Sequence, residues 1–564
     1  MRTFDAAIVG AGHNGLVCAA ALARAGLSVI VLEERGVVGG ACRTERVFQC
    51  APDLGCSTGA YLLGPMPPEV LDGAGLRGRV QILPRRPHGY FWLHDGAPAA
   101  FGVEGGLENV CPDDRRGLEM LDRAVCTIRD DLAPLWLREA CTLEESALSV
   151  RSGAGAHMVD AREAYTALAI GHGGEAWSVR EFVEWFAMGS EALNAVVATD
   201  GLVGSGRGAH ESGTGMNFLA HAMLRLPPGD SGWYAPAIEQ SRVGEPGGLS
   251  RPSLPAPLGA WQLVRGGMGS ITRALADVVR ERGGMVLPNT RVERVRIENG
   301  AAVGLDVPGG EPVLAGTVIL ATDPSRAATL AGGARTLGPI VEDRLKGIAD
   351  RDRAGTSLKV NMALRPSKAR ADGLPVVRDE AMLAGALGGR SALTGTVHVL
   401  PERATFERLE RARHSVVVDG RAPDPDDCMI DVYTHTAVDP SLRDSAGRHA
   451  MSLFVQWVPP NMTAAAGEQF ARALINGPVA RAIPELPQLV EEVMVLTPRR
   501  IEERFGITGG HIHHVDNALA FDRRLPCRTG VRGLYLAGAG CHPAGSVIGA
   551  AGWIAAEQVQ HQFT

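Results

Sequence analysis

The hexapeptide Gly10-Ala11-Gly12-His13-Asn14-Gly15 stands between the apolar run Phe4 to Val9 and a stretch of small residues from about His13 to Ala25, closed by Gly26. A second apolar run, Ser28 to Leu32, ends at Glu33, eighteen residues past Gly15. Strand, glycine turn, helix, strand and acid in that order predict an α/β unit that takes a dinucleotide. Gly10 permits the turn, Gly12 lets the backbone approach a diphosphate, and Gly15 lets the helix pack closely on the sheet. His13 and Asn14 open the helix whose N-terminus meets the anion. Glu33 is placed to accept the ribose hydroxyls of an adenosine, and its charge disfavours a 2′-phosphate.

The segment Gly36 to Thr44 turns this from NAD towards FAD. Gly39, Gly40 and Ala41 let backbone run along a longer diphosphate and ribityl chain, and Arg43 adds a positive charge there. Near the other end, Gly533 to Gly538 predicts another buried strand, followed by the loop Ala539 to Ser546 and a helix from about Val547 to Gln558. Gly538, Gly540 and Val547 are expected to face the flavin, with the helix N-terminus stabilising charge on its pyrimidine side. Between these ends, Arg265-Gly266-Gly267-Met268-Gly269 precedes a helix with Ile271, Leu275, Val278 and Val279 on one face. It is followed by Met285 to Leu287, by Val292 to Ile297 and by Val318 to Asp323. That block reads as a return to the nucleotide domain, with Val292 offering backbone hydrogen bonds to adenine.

The segments Ala11 to Leu16, Arg265 to Gly269 and Gly538 to Pro543 together resemble the phytoene desaturase-related flavoproteins. They are most similar to the branch of pyridine nucleotide-disulfide oxidoreductase domain-containing protein 2. The resemblance implies a Rossmann-type FAD domain interleaved with a mixed-sheet and helical substrate domain, as in amine oxidases. The expected division is 1–75, 261–325 and 506–564 for FAD, with 76–260 and 326–505 for substrate. It also implies FAD and carbon–carbon redox or isomerisation chemistry. Cys541 and Ala544-Gly545-Ser546 depart from the carotenoid desaturase pattern, which has threonine and a more glycine-rich stretch there.

Three lysines occur in the chain, so each bears locating. Thr356 to Leu364 alternates, with Ser357, Lys359 and Asn361 on one face, able to line a cavity or to meet solvent. In the related amine oxidases a strand lysine reaches a water beside the reactive flavin nitrogen, and the resemblance gives Lys359 that role. His511, His513 and His514 lack an accompanying carboxylate or cysteine at ligand spacing, so no metal is expected. His511, His514 and His542 are candidates for proton transfer, since imidazole exchanges protons near neutral pH; His513 reads as structural. Cys42 and Cys541 are weighed as covalent flavin links against the commoner reading of small buried thiols.

Hydrophobic residues make up 45% of the 564 and charged residues 21%, with a net charge of −7. That balance excludes a nucleic-acid footprint. No secretory signal or spanning stretch is read, and cysteines without a CxxC pair fit a reducing compartment, so a cytoplasmic location is expected. An apolar substrate would make peripheral membrane contact useful. The helical patterns at Leu118 to Leu132 and Val179 to Phe186 read as core packing, and Pro227 to Leu258 as a surface excursion or active-site border. Three functions compete: an FAD-dependent desaturase, saturase or isomerase of an apolar conjugated molecule, with quinone or oxygen as electron acceptor; an amine oxidase; and a flavin-binding interaction protein without turnover. An amine oxidase would want an aromatic cage beside the flavin, and the C-terminal stretch offers only Phe505, Phe521, Tyr535, Trp553 and Phe563.

Overall fold

The computed structural model describes residues 3–563 apart from 65, 84, 104–105, 139–141, 153–159, 172–174, 187 and 224–260. The excursion from Pro227 to Leu258 therefore lies outside the described residues.

The first sheet has the strand order Met285–Leu287, Val29–Leu32, Thr3–Val9, Val313–Leu320, Ala301–Asp306 and Arg294–Glu298, and Leu534–Leu536 also pairs with Val313–Leu320. Its central pairs are parallel, and only the Ala301–Asp306 and Arg294–Glu298 strands run antiparallel to their neighbours. Apolar residues fill both faces. Ala6, Ile8, Val29 and Val31 belong to one buried cluster, and Ala7, Val9, Ile30 and Leu32 to another. A parallel sheet covered on both sides needs such unbroken apolar runs.

The helix His13–Arg24 is buried along almost its whole length, because alanine, glycine and Cys18 leave room for neighbours on every side. It packs against the helices Gly269–Glu281 and Ala550–Gln560. The last of these starts three residues later than Val547. Val547 and Ile548 stay in the loop, and Gly549, at φ +70°, is the left-handed residue that caps the helix.

The second sheet has eight strands, ordered Val490–Leu496, Ser357–Leu364, His449–Gln456, Met429–Tyr433, Thr396–Val399, Gly89–Trp92, Pro98–Val103 and Gly106–Glu108. One face joins Leu358, Val360 and Met362 to Ile430, Val432, Leu453 and Val455 in a single core. The opposite face looks towards the helices Pro112–Trp136, Ala161–Ala169, Val179–Trp185, Glu191–Leu202 and Thr214–Ala222, which share a core with Met429 and Phe454. The patterns at Leu118 to Leu132 and at Val179 to Phe186 are thus packing faces. Among the described residues no helix is long and apolar enough to cross a membrane.

Candidate active site

A cavity of about 600 Å³ runs from the carboxyl edge of the first sheet to the helix-covered face of the second. Gly10, Gly12, His13, Asn14, Glu33, Gly39, Gly40, Ala41 and Val292 line its first part, with Val547 also on the wall. The helix His13–Arg24 has no acidic residue in its first turn and no side-chain cap at Gly12, so its leading N–H groups are free for an anion. A Cβ on Gly12 would meet no protein atom within 4 Å and would fill the cavity instead. Glu33 is fixed by two backbone donors, Ala11 N–H to Oε2 and Arg35 N–H to Oε1, both at 2.9 Å. This glycine cradle, open helix end and anchored carboxylate fit the ADP half of FAD.

Gly15 serves packing, since a Cβ there would stand 2.1 Å from the Gly10 carbonyl oxygen. Three expected cofactor contacts lie off the cavity wall. Gly538 and Gly540 instead let the C-terminal loop close on Thr322 and Pro324, where a Cβ would come within 1.8 Å and 2.4 Å. The wall position beside them is Ala539. Arg43 is turned away towards Glu45, 3.2 Å from its Nε, and lies over the Phe505 ring. The two chain ends meet where His13 Nε2 and the Ser546 carbonyl oxygen are 3.0 Å apart.

Lys359 lines the deeper part of the cavity and is 7% exposed. Its Nζ lies 4.2 Å from the centroid of Tyr61 and 5.2 Å from that of Phe454. Burial without a carboxylate partner pulls its pKa down to about 7. The solvated-face alternative fails because all eight residues of its strand are buried. Ser357 and Asn361 point the same way as Lys359 but are sequestered: Asn361 accepts from Ser452 at 2.9 Å, and Ser357 donates to Gln456 at 3.5 Å.

His513 and His514 line the cavity, whereas His511 and His542 do not. His513 is thus a wall residue rather than a purely structural one. His511 is buried, and desolvation followed by the Arg524 charge lowers its pKa to about 3. His542 is wedged against Trp136 and Phe521, and burial lowers its pKa to about 4. Neither imidazole is placed to exchange protons with a bound substrate. His514 takes φ +65°, a left-handed backbone that costs a non-glycine residue about 1 kcal/mol or more and that here delivers its ring to the wall. Cys42 and Cys541 are buried thiols pushed up to about 12, which keeps them protonated and poor partners for a covalent flavin link. Among the described residues no group of three or more His, Cys, Asp or Glu is arranged to hold a metal ion.

Several wall residues carry no local sequence signal. Tyr61 and Tyr433 face each other with ring centroids 5.4 Å apart, and Phe101 and Trp261 add further aromatic surface. Of the five C-terminal aromatics, only Phe505 reaches the wall. Arg85, Asp200, His398 and Asp431 supply a buried polar end. The alternation in Met429 to Tyr433 and the helical spacing of Asp200 were the available clues, but neither says which face meets a cavity.

A family model described as flavin containing amine oxidoreductase matches residues 15–387, more than half of the chain. Pyridine nucleotide-disulfide oxidoreductase domain-containing protein 2 of Rattus norvegicus is 27% identical over 607 residues, covering 99% of this chain and 93% of that protein. An uncharacterized protein of Mycobacterium tuberculosis is 27% identical over 600 residues, covering 99% and 97%. Among solved structures, wild-type putrescine oxidase bound to putrescine superposes with a TM-score of 0.54 at 16% identity, covering 100% of this chain and 99% of that one. An oxidoreductase from Methanosarcina mazei gives 0.53 at 15% identity, covering 99% and 100%.

Proposed function

The chain belongs to the flavin containing amine oxidoreductase family and is an FAD-dependent oxidoreductase, and from that premise we propose that it desaturates, saturates or isomerises a carbon–carbon bond of a conjugated small molecule. The observation that carries this reading is the aromatic enclosure around Lys359, formed by Tyr61, Tyr433 and Phe454. Flat rings on several sides suit a planar conjugated substrate and keep water from the reacting carbon. When bound, the flavin supplies the two-electron hydride partner for that carbon.

The chain's own groups do the rest. The open N-terminus of His13–Arg24 binds the diphosphate, and Glu33 orients the adenosine. Lys359 holds or releases a proton at Nζ near neutral pH, which suits the proton that must leave or join the carbon beside the one exchanging hydride. As a buried amine above two rings it also orders any water at that position.

Oxidation of an amine is the second reading, favoured by the carboxylates Asp200 and Asp431 on the same wall and by the same rings of Tyr61, Tyr433 and Phe454, since an amine oxidase wants an aromatic cage beside the flavin. Anaerobic mixing of the holoenzyme with conjugated dienes and enones in one series and with primary amines in another separates the two. Bleaching of oxidised flavin by the first series is expected for desaturation, reoxidation of chemically reduced flavin by it for saturation, and conversion of the compound with no net change in the flavin for isomerisation; bleaching by amines alone would reverse the order. Reoxidation of the bleached enzyme by oxygen or by a soluble quinone then identifies the electron acceptor.

A further inference from the structure

Four adjacent strands of the second sheet bring Lys359, Phe454, Asp431 and His398 into one row. Lys359 lies opposite Phe454, Phe454 opposite Asp431, and Asp431 opposite His398. Directly opposed residues in antiparallel strands share a face, and all four of these line the cavity. Three inter-strand steps separate the Lys359 and His398 backbones by about 14 Å. The row has a lysine at one end, an aromatic surface in the middle and a polar cluster at the other end.

At the polar end both Asp431 oxygens are engaged. Oδ1 lies 2.8 Å from His398 Nδ1, and Oδ2 accepts from the Tyr433 hydroxyl at 3.1 Å. Arg85 donates from Nε to the Trp261 carbonyl at 2.9 Å and from Nη1 to Thr396 Oγ1 at 2.5 Å, and its Nη2 has no hydrogen bond among the described residues. Asp200, 8% exposed, also lines the cavity; it shares a hydrogen bond with the Trp261 side chain, and its buried Oδ2 has no partner among the described residues. The Arg85 guanidinium attracts both carboxylates, and ionising both would leave these three groups with a net negative charge. Burial and the Asp431 charge accordingly raise the Asp200 pKa to about 8, so Asp200 carries its proton at neutral pH. A protonated carboxyl and an open guanidinium N–H are both donors, and among the described residues both lack an acceptor.

We propose that this end of the row is a subsite for an oxygen acceptor, a carbonyl or carboxylate, at the terminus of an elongated substrate whose reacting carbons lie towards Lys359. The proposal rests on the carbon–carbon redox reading and adds the polar terminus to it. A hydrocarbon terminus would strand two buried donors. An ammonium terminus would sit beside the Arg85 cation and would require Asp200 to ionise.

The test uses holoenzyme and three matched probe series: conjugated dienoic acids of increasing length, the same dienes without the carboxylate, and the corresponding dienyl amines. Binding is read from the perturbation of the flavin absorbance, and chemistry from anaerobic bleaching. Wild type should bind the acid more tightly than the diene by roughly 10- to 100-fold. Asp200→Leu and Arg85→Gln should collapse that ratio to within a few-fold, and Asp200→Asn, which keeps a donor, should restore most of it. Flavin content and melting temperature are measured for each variant; if Arg85→Gln does not hold flavin, the two Asp200 variants decide.

Equal binding of acid and diene by wild type, with both bleaching the flavin, overturns the subsite and leaves the carbon–carbon reading standing. Tighter binding of the dienyl amine, lost in Asp200→Leu, overturns the acceptor chemistry. Bleaching by saturated amines and by no diene overturns the reading underneath.

Discussion

Lys359 sets its Nζ 4.2 Å from the centroid of the Tyr61 ring, and the ring faces it where a carboxylate would be the usual partner of a buried lysine. The ring's quadrupole favours the cation, while burial disfavours it and pulls the pKa to about 7. Tyr61→Leu removes the attraction and leaves the burial, so the pKa should fall further, by about 0.5–1 unit. The check is the pH dependence of anaerobic flavin reduction. Its inflection should move to lower pH in Tyr61→Leu and disappear in Lys359→Met; an unmoved inflection would assign it to another group.

The same lysine makes stability depend on pH. Its folded pKa, about 7, lies below its ordinary value of 10.5, so between those values the unfolded chain binds a proton that the folded chain does not. Stability therefore rises as pH increases from 7 to 10.5, and the cost of burying the amine is greatest below 7. Lys359→Met should remove the slope and stabilise the apoprotein at pH 7 by about 3–5 kcal/mol at most. Denaturant midpoints at several pH values measure it.

Gly12 and Gly15 should fail in different ways when mutated to alanine. The Gly12 Cβ meets nothing within 4 Å, so Gly12→Ala should keep the apoprotein's melting temperature and lose FAD affinity at least tenfold. The Gly15 Cβ would stand 2.1 Å from the Gly10 carbonyl oxygen, so Gly15→Ala should lower the melting temperature itself. Flavin content and thermal melts on both variants distinguish occupancy from folding.

Asp200 has the opposite linkage. Its folded pKa of about 8 lies above its ordinary 3.8, so the folded chain holds a proton between those values and stability falls as pH rises through that window. Above 8 the whole cost of a buried charge is present. Asp200→Asn should therefore stabilise the protein at pH 8.5 by several kcal/mol, on the order of the same linkage arithmetic, and change little at pH 4. Parallel pH–stability curves for the two proteins would count against this.

Buried histidines set the acid limit. His221, His435 and His542 are each lowered to about 4, chiefly by burial, and His511 to about 3. Below pH 6.5 the unfolded chain takes up protons that these imidazoles refuse in the fold, so stability drops steeply between 6.5 and 4. Melting temperatures across that range should show the fall, and His511→Asn should shallow it by about one proton.

The cofactor half of the site was legible because its determinants are local. Gly10, Gly12 and Glu33 lie within one strand–helix–strand unit, where spacing alone brings all three to the cavity wall. Lys359 was legible through its alternating strand and its rarity. Tyr61, Arg85, Asp200, His398 and Asp431 were not, because they come from five separate segments and share a wall only through sheet register and helix docking. His511 and His542 misled for the complementary reason. Their chemistry suggested proton transfer, while their burial among Arg524, Trp136 and Phe521 was set by residues distant in sequence. The late start of the final helix also follows from context, since Gly549 is one of several glycines that might have capped it.

The meeting of the two chain ends has a consequence for biosynthesis. Some 525 residues separate helix His13–Arg24 from the helix that covers it, Ala550–Gln560, so the first is made long before its cover. Gly552 settles against it so closely that a Cβ would lie 2.0 Å from the Asn14 carbonyl oxygen. The nascent nucleotide unit must therefore wait, apolar and uncovered, while the residues between are made, and its long-range closure makes folding slow and exposed to aggregation. FAD then acts late, as a seal once the covering helix is made rather than a nucleus for a growing chain, and flavin-starved cells should accumulate this protein in the insoluble fraction.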